Sequence, residues 1–146
     1  MSSVTDLSTT RPSRKLTHEG AFALLRAGVE KATAMGVPQC ITIVDDGCNL
    51  LAFVRMDGGR VLSIESSQRK AMTAASTGRP TGGFPADVEL KLALATDGRM
   101  TNLKGGLPII VDGEVIGGIG VGSGTGDQDR EVANAALAAL RGAQTF

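Results

Sequence analysis

The chain has 146 residues, with fifteen basic and fifteen acidic side chains that cancel at neutral pH. This length is that of one ordinary domain with a substantial core, and the balanced charge excludes the basic surface typical of nucleic-acid binding. The four aromatic side chains are all phenylalanine, which argues against base stacking, so we expect no nucleic-acid partner.

The N-terminal segment is polar and lacks the apolar run of a signal peptide, and no later run is long enough to span a membrane. We therefore expect a disordered arm over residues 1–15, a single domain over residues 16–146, and no membrane partner. Cys40 and Cys48 lack the spacing of a zinc site. They are expected to be free thiols in a reducing compartment, so we expect a cytoplasmic protein.

Apolar residues recur at helical spacing from Thr17 to Met35, with Thr17 as N-cap and Gly36 at the end. Two apolar, β-branched runs then flank Asp46-Gly47, the strongest local signal for a β-hairpin. The sequence therefore predicts a first helix followed by two antiparallel strands.

The second predicted helix ends near Gly78 and carries two kinds of polar residue on opposite faces. The face expected in water holds Glu65, Gln68, Arg69 and Met72. The opposite face holds Ser63, Ser66, Ser67, Lys70, Thr73, Ala74 and Thr77. Because Lys70 is the one charge on this second face, we expect it to point inward, where it needs an acidic partner, an anionic ligand or a catalytic role. The alternatives are a stem that snorkels to water and a structural pair with Asp45 or Asp57.

A short helix is predicted over Asp87 to Ala95, and a loop over Asp97 to Gly106. A second hairpin follows around Asp112-Gly113, and a last helix starts near Thr125 with a T-x-x-Q capping box and ends near Arg141. Two tight hairpins exclude a purely parallel sheet. The predicted class is α+β with a central antiparallel sheet.

Both faces of the first hairpin are apolar, since Leu51 and Phe53 alternate with Leu50, Ala52 and Val54. A sheet that is apolar on both faces must have both faces buried against other parts of the protein. We expect helices on one face and either more helix or another subunit on the other, which favours a homodimer or a higher homo-oligomer.

The glycine-rich run from Gly117 to Gly126 fits neither G-x-G-x-x-G nor a Gly-Lys-Ser/Thr loop, so we interpret it as close packing. Gly105 and Gly106 could form a pliable pocket rim. His18 is the one histidine, which excludes a multi-histidine metal site, and no metal site is predicted. Arg55, at a strand end, could clamp a carboxylate.

An ordered set of motifs resembles a known family. The motifs are Ile43-Val-Asp-Asp-Gly-Cys-Asn-Leu50, Arg55-Met-Asp-Gly58, Lys70-Ala-Met-Thr-Ala74, Gly105-Gly-Leu-Pro108, and Val115-Ile-Gly-Gly-Ile-Gly-Val121 through Asp127-Gln-Asp129. From about Leu16 to Leu140 the chain resembles the GlcG/HbpS-like haem-degrading domain family, which is related to the C-terminal domain of PduO.

The resemblance implies a profilin-like α/β/α domain with a five-stranded antiparallel sheet that assembles into dimers or higher oligomers. It also implies haem as a cofactor, because some relatives bind haem. Cys48, Ser67, Gly122 and Arg130 depart from the residues usual in the family, and no iron ligand is transferred from the family to this chain.

Two functions follow as hypotheses. The first is binding of haem or a related tetrapyrrole, with a propionate on Arg55 or Lys70 and an iron ligand among His18, a methionine or a hydroxyl. The second is an enzyme (a tautomerase, isomerase or hydrolase) acting on a small anionic carboxylate in a catabolic pathway, with Arg55 as clamp and Lys70 or Asp45 moving a proton. The predicted site lists Lys70 and Asp45 as catalytic, and Arg55, Ser63, Ser67, Thr73, Gly105 and Gly106 as ligand-binding.

Overall fold

The computed structural model describes residues 7–146 and contains four helices and four strands in the predicted order. They are α1 (His18–Met35), β1 (Cys40–Asp45), β2 (Leu50–Arg55), α2 (Ser63–Thr77), α3 (Ala86–Ala95), β3 (Gly106–Val111), β4 (Glu114–Gly122) and α4 (Gly126–Ala138). The strands form one antiparallel sheet in the order β2-β1-β4-β3. The α+β class with an antiparallel sheet is therefore confirmed.

The helix ends follow local capping chemistry. Thr17 caps α1 by accepting a hydrogen bond from the Gly20 amide, and Gly36 ends the helix in the left-handed conformation. Thr125 and Gln128 form the predicted capping box at the start of α4. That helix ends at Ala138, earlier than predicted.

The expected five-stranded sheet is wrong, because the described residues form four strands. Beyond these strands the C-terminal segment adds a single bridge between Val111 and Ala143 beside β3. The Asn134 side chain donates to the carbonyl of Phe146 at 2.6 Å and accepts from its amide at 2.8 Å. These bonds hold Phe146 against α4.

Helices cover both faces of the sheet. On one face Ser67 of α2 lies 2.8 Å from Thr42 of β1, hydroxyl to hydroxyl. On the other face Ile41 belongs to the main apolar core with Leu24 of α1 and Val132 of α4. Helices of the chain therefore lie on both faces of the sheet, while the edge strand β2 is only partly buried.

Glycines in β4 bring α2 unusually close to the sheet. A Cβ atom added at Gly118 would collide with the Ala71 carbonyl, and one added at Gly120 would collide with the Ser67 carbonyl. Since alternate strand residues share a face, Gly118 and Gly120 both lie beneath α2. The absence of side chains there lets α2 pack close to the strand, which sets the position of Lys70.

Residues 1–6 lie outside the described part of the chain, and residues 7–15 are exposed and form neither helix nor strand. Arg14 pairs with Asp112 and Lys15 with Asp46, so the end of this segment contacts both hairpin turns. Disorder of the 1–15 arm stays a prediction. Within residues 7–146, none of the helices has the length and apolar character needed to cross a membrane.

Candidate functional site

Lys70 points into the protein, as its helical spacing predicted, and only 5% of its surface is exposed. Its ammonium donates to the Val121 carbonyl of β4 at 2.8 Å and to Asp129 Oδ2 of α4 at 2.9 Å. An ammonium carries three N–H donors and has no acceptor. Lys70 is therefore a buried cation with one donor left over among the contacts of the described residues.

Asp129 is the acidic partner, in place of the predicted alternatives Asp45 and Asp57. It is 2% exposed, and its Oδ1 accepts from the Gly124 amide at 2.9 Å. With its amide nitrogen turned toward the carboxylate, Gln39 donates to the same oxygen at 2.9 Å. Because buried charges are tolerated when paired and hydrogen-bonded, this network explains how Lys70 is kept in the interior.

The sequence indicates that Asp129 lies at the start of a helix, but it does not indicate that Asp129 contacts Lys70. Asp129 lies in the first turn of α4, where the helix dipole stabilises negative charge. Because Asp129 is 59 residues from Lys70 in the sequence, no helical or strand spacing predicts their contact.

The Lys70–Asp129 pair forms the floor of an open cleft of about 240 Å³. We call it the Lys70 cleft, and its walls come from the α2 start, the 103–104 loop and the turn from β4 to α4. It is lined by Arg60, Ser63, Ser66, Lys70, Leu103, Lys104, Ser123, Gly124, Gly126 and Asp129. Most of these groups are polar, and Arg60, Ser66, Lys104 and Ser123 were not among the predicted ligand-binding residues.

Ser123 sits at the mouth of the cleft in a conformation that costs energy. Its φ of 95° lies in the left-handed region that side chains rarely adopt. Its hydroxyl accepts from the Arg60 amide at 3.0 Å and so joins the loop before α2 to the end of β4.

The cleft is electropositive. The salt bridges of residues 7–146 do not include Arg60, whereas Lys104 pairs with Asp127 at 2.8 Å on the exposed rim. That lysine lowers the pKa of Asp127 through a hydrogen bond and its charge. Three cations and one carboxylate line the cleft, which leaves two positive charges there, or one if the rim carboxylate of Asp127 is counted.

Some predicted ligand-binding residues have other roles. Ser67 bonds to Thr42 beneath α2 instead of facing the cleft, so it does not enlarge the polar surface around Lys70. Thr73 donates to the Arg69 carbonyl of its own helix at 2.7 Å and accepts from the Thr101 amide at 3.0 Å, which anchors the loop after α3. Ser63 does line the cleft.

Gly105 and Gly106 lie behind the ion pair. A Cβ on Gly105 would stand 2.7 Å from Asp129 Cβ and 3.1 Å from Lys70 Nζ, and one on Gly106 would collide with the Lys70 carbonyl. These glycines admit the lysine and its partner, and neither lines the Lys70 cleft.

Arg55 and Asp45 are not brought to the Lys70 cleft. Arg55 is exposed at the end of β2, two strands or about 10 Å across the sheet from β4. Asp45 sits at the opposite end of β1, where its Oδ1 accepts from the amides of Gly47 and Asn49, each at 2.9 Å. It closes the hairpin turn.

A second surface, the α1–β2 groove, lies on the face of the sheet that α1 covers. It has a volume of about 240 Å³, is almost wholly apolar, and is lined by Phe22, Leu25, Arg26, Val29 and Val54. The Phe22 side chain is 51% exposed, and His18 meets its ring edge-on with 6.0 Å between ring centroids. An accessible imidazole therefore stands beside an open apolar groove.

A third surface, the sulfur cleft, lies between α2 and the end of α3. It has a volume of about 210 Å³ and is lined by Cys48, Met72, Ser76, Thr96, Arg99 and Met100. Burial, reinforced by the charge of Asp45, raises the pKa of the Cys48 thiol. The raised pKa lowers the fraction of thiolate, which is the form of cysteine that binds a metal.

The chain matches the model of the family described as haem-degrading protein, HbpS-like, over residues 16–138. Protein GlcG of Escherichia coli K12 is 41% identical over 107 residues, which cover 73% of this chain and 80% of that protein. The crystal structure of a PduOC–haem complex has a TM-score of 0.83 and 29% identity, covering 91% of this chain and 99% of that one. A double mutant of HbpS from Streptomyces reticuli has a TM-score of 0.81 and 32% identity over 96% of this chain and 97% of that one.

Proposed function

This chain belongs to the HbpS-like family of haem-degrading proteins, and we propose that it binds haem or a related tetrapyrrole. The observation that carries the proposal is its likeness, over nearly the whole chain, to a PduOC domain solved in complex with haem. A haem site needs an apolar surface for the macrocycle, a ligand for the iron and a cation for the propionates.

The α1–β2 groove would supply two of these components, and His18 beside it, whose Nε2 lies 3.5 Å from Glu19 Oε1, would supply the third. Phe22, Leu25 and Val29 offer an apolar face, Arg26 provides a guanidinium at the rim, and His18 provides an imidazole next to Phe22. Imidazole is the commonest protein ligand of haem iron. His18 and Arg26 would therefore hold the iron and a propionate, and the bound haem would supply redox and oxygen chemistry.

The other two surfaces fit less well. The Lys70 cleft is lined mostly by polar and charged groups, whereas pockets for large ligands are mostly apolar. The sulfur cleft offers only thioethers and a protonated thiol to the iron. The residues of this chain therefore fit haem best at the α1–β2 groove.

Titration of the full-length protein with haemin tests this proposal. We expect a saturable shift of the Soret band at micromolar haemin, and we expect His18→Ala to weaken binding at least about tenfold, equivalent to about 1.4 kcal/mol. Met100→Ala, in the sulfur cleft, serves as the control and should bind like the unmodified protein. The absence of a saturable shift would refute haem binding, and a loss confined to Met100→Ala would move the site to the sulfur cleft.

A further inference from the structure

We propose that the Lys70 cleft binds a small polyoxyanion, a carboxylate or a phosphate, at a site separate from the haem groove. The inference does not depend on haem binding, because the Lys70 cleft and the α1–β2 groove share no lining residue.

The floor of the cleft presents a charged hydrogen-bond donor that has no partner among the described residues. Two N–H groups of Lys70 are used by Val121 and Asp129, and the third finds no acceptor within residues 7–146 although Lys70 lines the cleft. Hydrogen bonds from a charged donor are stronger than neutral ones, and they strengthen where water is scarce. An anion oxygen at this position would complete the coordination of the ammonium.

The walls add donors suited to the remaining oxygens of such an anion. Arg60 has a forked guanidinium that matches carboxylate and phosphate geometry, and it forms no salt bridge in the described part of the chain. The hydroxyls of Ser63 and Ser66 likewise make no hydrogen bond to other described residues and face the same space. The cleft therefore combines two cations and two free hydroxyls around one small volume.

Charge and size set the ligand class. The positive surplus of the lining favours an anion, and the polar walls favour a ligand that is mostly oxygen. Asp129 opposes multiply charged ligands near the floor, but its carboxylate oxygens are already bonded to Lys70 Nζ and the Gly124 amide. Since Lys70 is an ammonium, it suits holding an anion better than accepting a proton.

Isothermal titration of the full-length protein with sodium oxalate and, separately, inorganic phosphate tests the site. We expect saturable binding of at least one probe at or below about 10 mM, with an affinity that falls as ionic strength rises. The probe that binds more tightly identifies the carboxylate or phosphate class. Failure of both probes to bind at this concentration would overturn the proposal.

Arg60→Gln and Ser66→Ala are the informative variants, because Lys70→Met risks unfolding the protein. Arg60→Gln is expected to weaken binding of the preferred probe about tenfold, and Ser66→Ala by a smaller factor. Arg141→Gln removes an exposed arginine outside the cleft and is expected to bind like the unmodified protein. Equal affinities for Arg60→Gln and Arg141→Gln would show that the anion binds elsewhere and would overturn the assignment, whatever the haemin titration gives.

Discussion

The ion pair between Lys70 and Asp129 is the most heavily buried charged contact of the described chain, and removing one partner leaves the other uncompensated. We expect Asp129→Asn to lower the free energy of unfolding by about 3–5 kcal/mol, measured by urea denaturation, because an unpaired buried charge is costly. Asp127→Asn is a matched control from the same helical turn. Its exposed pair with Lys104 should have little effect, and equal losses for the two variants would contradict a special role for Asp129.

The two cysteines should differ in reactivity. Burial raises the pKa of both thiols, Cys40 is fully buried, and Cys48 is partly exposed. Because a raised pKa lowers the thiolate fraction at neutral pH, we expect Cys48 to alkylate more slowly than free cysteine at pH 7. Its rate should increase as the pH passes the ordinary thiol range.

Mass spectrometry after iodoacetamide labelling across a pH series measures both thiols in one sample. Cys40 should stay unlabelled until the protein is unfolded, since solvent does not reach it in the fold. Rapid labelling of Cys48 at neutral pH would show that its thiol is not held protonated.

Part of the site could be predicted residue by residue. Helical spacing alone correctly predicted that Lys70 points inward, since the periodicity of α2 fixes which residues share a face. It could not identify Asp129, Arg60 or Lys104, because those residues come from other elements and meet Lys70 only in the tertiary fold. Arg55 was a reasonable candidate at a strand end, but strand order, which local sequence does not reveal, places β2 two strands from β4.

Among the elements, contact between β4 and α2 depends on strand residues without side chains. Gly120→Ala would push a Cβ against the Ser67 carbonyl, and overpacking of this kind costs about 1–3 kcal/mol. We expect a corresponding fall in the free energy of unfolding. Gly83→Ala is the control, because nothing lies within 4 Å of a Cβ at that position and its φ is not in the positive range.

If Gly120→Ala and Gly83→Ala unfold at the same urea concentration, α2 is not held against the strand as the structure shows. Close packing was the interpretation favoured by the glycine-rich sequence over a phosphate loop. The contacts with backbone atoms of α2 agree with that interpretation.

For the molecule as a whole, local sequence patterns correctly predicted the order of the elements and the two hairpins. Asp46-Gly47 and Asp112-Gly113 lie at the two hairpin turns, because such dipeptides favour tight turns regardless of tertiary context. The strand count came from the family resemblance and was wrong by one. The return of the C-terminal segment to Asn134 is a long-range contact that no local pattern encodes.

Assembly into a homodimer or higher oligomer stays a prediction. One reason for it was that both faces of the sheet are apolar. Helices of the same chain lie on both faces of the sheet, but the edge strand β2 is only partly buried and its Leu50 is 56% exposed. Multi-angle light scattering of the purified protein would measure the mass directly, and a mass near 15 kDa would show a monomer.

The N-terminal segment allows a test of the domain boundary. Deleting residues 1–13 removes only segments that are exposed where described, so we expect an unchanged melting temperature. Deleting residues 1–15 also removes the pairs of Arg14 with Asp112 and Lys15 with Asp46. We expect a small additional loss, because exposed pairs contribute little. A large loss from the shorter deletion would show that the domain begins earlier.

The proposed assignment of haem to the α1–β2 groove and of an anion to the Lys70 cleft is tested most directly by one comparison of three proteins. Haemin is titrated into the unmodified chain, His18→Ala and Arg60→Gln while the Soret band is recorded. We expect His18→Ala to lose most of its affinity and Arg60→Gln to retain it. Loss of haemin binding in Arg60→Gln with full binding in His18→Ala would contradict the assignment of the two surfaces.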